Sequence, residues 1–209
     1  MVGGSFEALF YRLLKEPERA EAVATQHSVL AQEHGMIGAR NFLTIKGWAR
    51  AQLGSTAEGV SLIRQGLADL TENNVRSLAP DALTMLAEAQ ALDGMTDDAL
   101  ITIEQALHLN PQEVLARPEA LRVRGELRQK IRQAEAAEAD FREAIALAQK
   151  MSSKMLELRA TTSFARLLRD TGRRDEARAM LAEIYNWFTE GFDTADLRDA
   201  KDLLAELNS

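Results

Sequence analysis

Four segments of this 209-residue chain align on one another at an interval of about forty residues. They are AQLGSTAEGVSLIRQGL (51–67), ALDGMTDDALITIEQAL (91–107), QKIRQAEAAEADFREAI (129–145) and RDTGRRDEARAMLAEIY (169–185). Each runs through a turn, an acidic residue, a small residue and then an apolar residue four positions on. The small residue is Gly59, Ala99, Ala137 and Ala177, at intervals of 40, 38 and 40. The apolar one is Ile63, Ile103, Phe141 and Leu181, and a second small residue follows at Gly66, Ala106 and Ala144, with Ile184 as the exception. At 3.6 residues per turn this order lies along one stripe of a helix, so a neighbouring helix approaches at the small positions while the large side chain fills the gap.

Each segment is preceded by a second helical pattern with its own small residue at i, i+4: Leu43/Gly47, Leu83/Ala87, Leu121/Gly125 and Thr161/Ala165. Gly54, Gly94 and Gly172 stand between the two patterns, where a helix ends on a residue with positive φ. Pro111 follows the second repeat, where a helix must stop. The pattern therefore predicts helical hairpins that cannot bury their apolar stripes alone and stack side by side. A bundle gathered round one centre would not repeat the same small residues at the same offsets.

Composition agrees with an all-α fold. Ala, Leu, Glu and Arg dominate, there are four prolines, and Val, Ile and Tyr never gather in alternating runs. The repeats resemble tetratricopeptide (TPR) repeats over about 40–191, with a period longer than the ~34 residues of the standard unit. That resemblance implies a right-handed superhelical solenoid forming one domain over 1–209. Before the repeats, Phe6, Leu9, Phe10, Leu13 and Leu14 make an amphipathic helix, and a second helix is expected from about Pro17 to His34, with Gly35 after its end. These form a divergent first hairpin over about 5–36. After the repeats, Asp193 or Thr194 can cap a final helix over about 193–207, whose stripe is Leu197, Ala200, Leu203, Leu204 and Leu207. A terminal helix covering the last repeat is what an open stack needs for solubility.

The run Leu156-Glu-Leu-Arg-Ala, Ala165-Arg-Leu-Leu, Gly172-Arg, Glu176-Ala-Arg and Leu181, leading into Tyr185-Asn-Trp-Phe-Thr-Glu-Gly-Phe-Asp-Thr-Ala-Asp-Leu-Arg-Asp-Ala-Lys, carries a closer likeness. It resembles the C-terminal TPR region of multidomain bacterial signalling proteins, in which an adenylate/guanylate cyclase or transcriptional regulator domain precedes an ATPase and a helical-repeat tail. Gly47-Trp-Ala-Arg-Ala-Gln-Leu-Gly, with Glu58-Gly and Gly66-Leu, is similar to the repeats of that family. The resemblance implies a regulatory tail whose catalytic modules lie in other domains.

Sites of chemistry are missing from the pattern. The chain has no cysteine, which excludes disulfides, thiolate metal sites and a cysteine nucleophile. It carries no G-x-x-x-x-G-K-[ST], G-x-G-x-x-G or G-x-S-x-G motif. His27 and His34 share a helix face without an acidic third ligand, and His108 stands alone, so no metal or cofactor is expected. Asp97-Asp98 opens a helix, where carboxylates complement free N–H groups and the macrodipole. Trp48 and Trp187 read as core or groove residues. An enzyme is not expected. No apolar run approaches the ~18 residues of a membrane span, and no secretory signal is read, so the expected location is cytoplasmic. A net charge of −7 disfavours nucleic acid.

The expected partner is a protein or peptide, including other domains of a parent protein. In a TPR-like stack the first helix of each hairpin lines the concave face. The repeat register places there Asn41, Thr44, Trp48 and Gln52, then Asp81, Thr84 and Glu88, then Arg122, Glu126 and Lys130, and last Arg159, Thr162, Arg166 and Arg169. Six basic residues fall between Arg117 and Arg132, and six arginines between Arg159 and Arg178. Two readings stay open: Arg122, Arg159, Arg166 and Arg169 grip acidic side chains or a C-terminal carboxylate of a partner, or they pair with neighbouring acids of the chain. Two functions stay open as well, an interaction scaffold and a sensor that binds a small inducer and regulates an attached ATPase or cyclase. Leucines near either terminus are open to two readings, pairing two copies into a homo-oligomer or lying on a solvated terminal helix.

Overall fold

The computed structural model describes the backbone of residues 2–33, 41–109 and 115–209 and the side chains of 6–29, 42–109 and 115–209. The expectations placed on His34, Gly35 and Pro111, and on the side chain of Asn41, fall outside these. The described residues are all-helical, without a strand, and group into two compact units, 1–111 and 112–209.

The first unit holds three hairpins. They are α1 (Val2–Leu13) with α2 (Pro17–Glu33), α3 (Asn41–Gln52) with α4 (Thr56–Glu72), and α5 (Ala79–Leu92) with α6 (Thr96–Leu109). The second unit holds α7 (Arg117–Lys130) with α8 (Ala134–Lys150), α9 (Lys154–Asp170) with α10 (Arg174–Tyr185), and the final helix α11 (Ala195–Asn208). Within each unit every helix packs on its hairpin mate and on the first helix of the next hairpin. The first helices also touch one another, α1 to α3 and α3 to α5 in the first unit, α7 to α9 and α9 to α11 in the second.

The small residues act where the sequence places them. A Cβ on Gly47 would lie 2.7 Å from the Gly59 carbonyl oxygen, and one on Gly59 2.5 Å from that of Gly47, so α3 and α4 meet backbone to backbone. In the second unit Gly125 faces the ring of Phe141, 2.5 Å from where a Cβ would stand. Ile63, Ile103, Phe141 and Leu181, the large members of the stripe, are all fully buried.

The first hairpin follows the same register. Ala8 and Ala20, both fully buried, precede Gly47 and Gly59 by 39 residues each. Its divergence lies in content: Ala24 replaces the large residue, and His27 stacks on Phe42 with centroids 5.4 Å apart. The turns between hairpin mates also repeat. Gly54, Gly94 and Gly172 have positive φ, and so do Lys15 (56°) and Arg132 (63°) at the same point of the other two hairpins. At all five, the next N–H donates to the carbonyl five residues back, at 2.8–2.9 Å, which closes the first helix. The final helix departs from expectation in its cap. Thr194 occupies the N-cap position, but its hydroxyl donates to the Gly191 carbonyl (2.8 Å) and not to the helix.

Candidate partner-binding faces

The residues assigned to a concave face lie on the first helices of the hairpins, and each unit can be built up by itself. In the first unit Thr44 and Trp48 of α3 are buried, and Gln52, one turn further on, is exposed. On α5 Thr84 is buried, its hydroxyl donating to the Pro80 carbonyl at 2.9 Å, so it serves its own helix. Asp81 and Glu88 are half-buried. Asp81 accepts from Arg12 of α1 at 2.9 Å. This bridge joins the two helices that flank α3, and Arg12 is itself buried. The sequence reading missed Arg12. Its signal is a cation inside an apolar stripe, 39 residues before the buried Ala51.

In the second unit the arginines are engaged by carboxylates of the same chain. On α7 Arg122 is buried and binds Glu119 (2.8 Å) and Glu126 (2.6 Å). Glu126 also accepts from Ser163 of α9 at 2.7 Å. Lys130 is exposed. On α9 Thr162 is buried, its hydroxyl donating to the Leu158 carbonyl at 2.8 Å. The three arginines of α9 all reach α11. Arg159 binds Asp196 at 2.7 Å, Arg166 binds Asp199, and Arg169 binds Glu206 at 2.9 Å.

These three contacts differ in weight. The Arg159 and Asp196 side chains are 5% and 4% exposed, so their pair is shielded from water. Burial alone would lower the Arg159 guanidinium, but the carboxylates of Glu119 and Asp196 outweigh it and hold it above its ordinary value. Arg166 and Asp199 are 36% and 43% exposed, and their pair is correspondingly screened. Arg169 is raised by its bond to Asp170, against partial burial, with Glu206 adding to the effect.

The carboxylates that Arg159, Arg166 and Arg169 bind thus come from the chain's own helix α11. On α11 the buried Asp196 lies in the same stripe as the buried Leu203 and Leu207, and Asp199 and Glu206 flank that stripe on one side. Arg174 of α10 adds guanidinium bonds to the last carbonyls of α11, at Glu206 and Leu207. A further network unseen in the sequence lies inside the α7–α8 hairpin. The buried Asp140 of α8 accepts from both Arg124 (2.6 Å) and Arg128 (2.8 Å) of α7.

Elsewhere, Trp187 on the α10–α11 connection is exposed, with the Lys154 ammonium 5.7 Å from its ring centre. The His108 ring is exposed and lies 2.7 Å from the Glu104 carbonyl oxygen of its own helix. Among the described residues no three His, Asp or Glu side chains gather as a metal site. No described helix is long and apolar enough to cross a membrane.

Neither a protein-family model nor a curated protein matches the chain. Solved structures do. The thermophilic TPR protein TTC0263 of Thermus thermophilus is 17% identical, with a TM-score of 0.72 over 99% of this chain and 97% of that one. BtubC (BKLC) from P. vanneervenii is 17% identical, with a TM-score of 0.68 over 92% and 89%. The nearly identical TPR-like repeats from Podosopora anserina give 18% identity and a TM-score of 0.59 over 87% and 91%. The hairpin register, the small-residue crossings and these neighbours agree that the chain has a TPR-like helical-repeat fold.

Proposed function

We propose that the chain is a non-catalytic protein-interaction module and works as the regulatory tail of a larger cytoplasmic signalling protein. The observation that carries this reading is the polar face of α7, α9 and α11. There a row of arginines holds an acidic helix in place, which is the chemistry needed to hold a charged segment of another protein. The α9 arginines are occupied by α11, so contacts to a partner fall to the exposed positions of the register, Gln52 in the first unit and Lys130 in the second. The signalling context is supported by the likeness of Tyr185–Lys201 to cyclase- and ATPase-linked tails. A sensor for a small inducer calls for an enclosed pocket of convergent polar groups. Here Arg122, Arg159, Arg166 and Arg169 are tied to carboxylates of the same chain instead.

The test is a binding screen of the full chain against helical peptides of graded charge and against a panel of nucleotides and small metabolites. Peptide binding that shifts the amide resonances at Gln52 or Lys130, and is weakened several-fold by Gln52→Glu or Lys130→Glu, is expected. A small molecule that binds while every peptide fails would replace the module reading with the sensor.

A further inference from the structure

Residues 186–194 join α10 to α11, where the α8–α9 join takes only 151–153. On this longer connection Trp187 and Phe192 are 58% and 45% exposed. The backbone beneath them is held. The Trp187 N–H donates to the Ile184 carbonyl and the Phe188 N–H to that of Tyr185, each at 3.2 Å. Gly191, at φ 76°, accepts from both the N–H (2.9 Å) and the hydroxyl (2.8 Å) of Thr194. Each exposed ring also rests on a half-buried one. Trp187 meets Phe188 edge-on with centroids 5.2 Å apart, and Phe192 meets Tyr185 at 5.8 Å. Phe188 and Tyr185 in turn pack on the core of the second unit. Large rings left in water are costly unless something covers them, and rings already fixed in place lose little freedom when it does.

We propose that this connection docks a basic, apolar-anchored segment of another protein. Charge selects that occupant. From Glu183 to Thr194 the chain carries three carboxylates, Glu183, Glu190 and Asp193, and no lysine or arginine. All three are exposed, and among the described residues none has an ion-pair or hydrogen-bond partner. Lys154 comes within 5.7 Å of the Trp187 ring centre, but Glu157 binds it at 2.7 Å and balances its charge. A lysine or arginine of the partner therefore meets open carboxylates beside aromatic faces, which favour it by charge-assisted hydrogen bonds and cation–π contact. An apolar side chain between such cations covers Trp187 and Phe192. Single-stranded nucleic acid and anionic membranes also use exposed aromatics, but both would meet like charge here. A further helix of the stack has nothing to pack on beside the connection. Arg198, Lys201, Asp202 and Glu206 are exposed on α11, while its Leu197, Leu203 and Leu207 are buried. The surface rests on the reading of the chain as an interaction module but uses neither Gln52 nor Lys130, so it is tested separately from them.

The experiment titrates the full chain with synthetic peptides that share a leucine-rich core and carry lysine, neutral or glutamate flanks. Trp48 is buried, so a blue shift of tryptophan emission on binding reports Trp187. The lysine-flanked peptides should bind with a Kd of roughly 10–100 µM, the range of a small interface, and should move the amide resonances of Trp187 and Phe192. Glutamate-flanked peptides should bind at least about tenfold more weakly. Trp187→Ala should weaken binding about tenfold with an unchanged circular dichroism spectrum, because the ring is exposed. Glu190→Lys combined with Asp193→Lys leaves both rings in place and should turn the preference towards glutamate flanks. Failure of every lysine-flanked peptide up to about 1 mM, or equal affinity for all three flanks, would overturn the proposal. So would a blue shift produced instead by phosphatidylserine vesicles or by raising the concentration of the chain alone. Peptide-induced shifts confined to Gln52 and Lys130 would overturn it too, while leaving the module reading in place.

Discussion

Asp196→Ala removes the carboxylate that faces Arg159 and leaves a guanidinium 5% exposed on α9. Deleting one member of a buried ion pair costs about 3–5 kcal/mol, because the remaining charge keeps its desolvation and loses its partner. The neighbouring Glu119 carboxylate already acts on Arg159 and offsets part of this, so the lower end, about 3 kcal/mol, is expected. The comparison is Asp199→Ala. Its partner Arg166 is more than a third exposed, and water and salt screen the charge left behind, so the loss should stay under about 1 kcal/mol. Hydrogen exchange separates the two. A local loss of about 3 kcal/mol speeds exchange of the α11 amides by roughly a hundredfold, at ~1.4 kcal/mol per factor of ten. The α3 and α4 amides of the first unit should be unaffected. The leucines on the buried side of α11 are untouched in both variants, so any difference between them reports the ion pair. If Asp196→Ala accelerates α11 no more than Asp199→Ala, burial of the Arg159 pair is not what secures the helix. Arg159→Met combined with Asp196→Leu then asks whether the pair stabilises or only selects α11. Recovered protection would show that apolar packing can replace it.

Arg132 holds φ of 63° where three other hairpins have glycine, so Arg132→Gly should relieve backbone strain. The expected gain is about 0.5–1 kcal/mol, a rise of about 1–4 °C in Tm by calorimetry, and an unchanged or lower Tm would refute it. The Glu138 carboxyl is pushed up by its partial burial but pulled further down by bonds from Arg173 and Arg142, leaving it below its ordinary value. A lowered carboxyl stabilises the fold above the unfolded-state value of about 4.3 and loses that contribution as pH falls through the folded value. Urea titrations below about pH 5 should therefore show a shallower acid loss for Glu138→Gln than for the wild type, and parallel curves would contradict the assignment.

The hairpins were legible because their signal is local and repeated. A small residue at Gly59, Ala99, Ala137 and Ala177 specifies a helix crossing within seventeen-residue windows, and the structure buries each of them. Turns were legible where glycine marked them. They were silent at Lys15 and Arg132, where the hydrogen bonds of the helix end enforce the same backbone shape on a residue that does not advertise it. The inner face was legible only as a set of helix positions. Register fixes which residues share one side of each first helix, yet it says nothing of how close the neighbouring first helices come.

That lateral distance is what decided the fate of the face. Thr44, Thr84 and Thr162 stand at one register position and all are buried; the hydroxyls of Thr84 and Thr162 are satisfied by carbonyls of their own helices and so need neither water nor a partner. Arg122 occupies the same position in the third hairpin of the repeat set and cannot satisfy itself that way, so Glu119 and Glu126, three residues before it and four after, close round it. Arg159 sits one row away and draws its carboxylate from α11, 37 residues on, nearly one repeat period. Ser163 and Glu126 are separated by the same 37 residues. The cations of α9 therefore find their anions about one period later, on α11. A charge pattern read along single helices misses that pairing, while one read at the repeat interval would have joined Arg159 to Asp196 and Arg169 to Glu206.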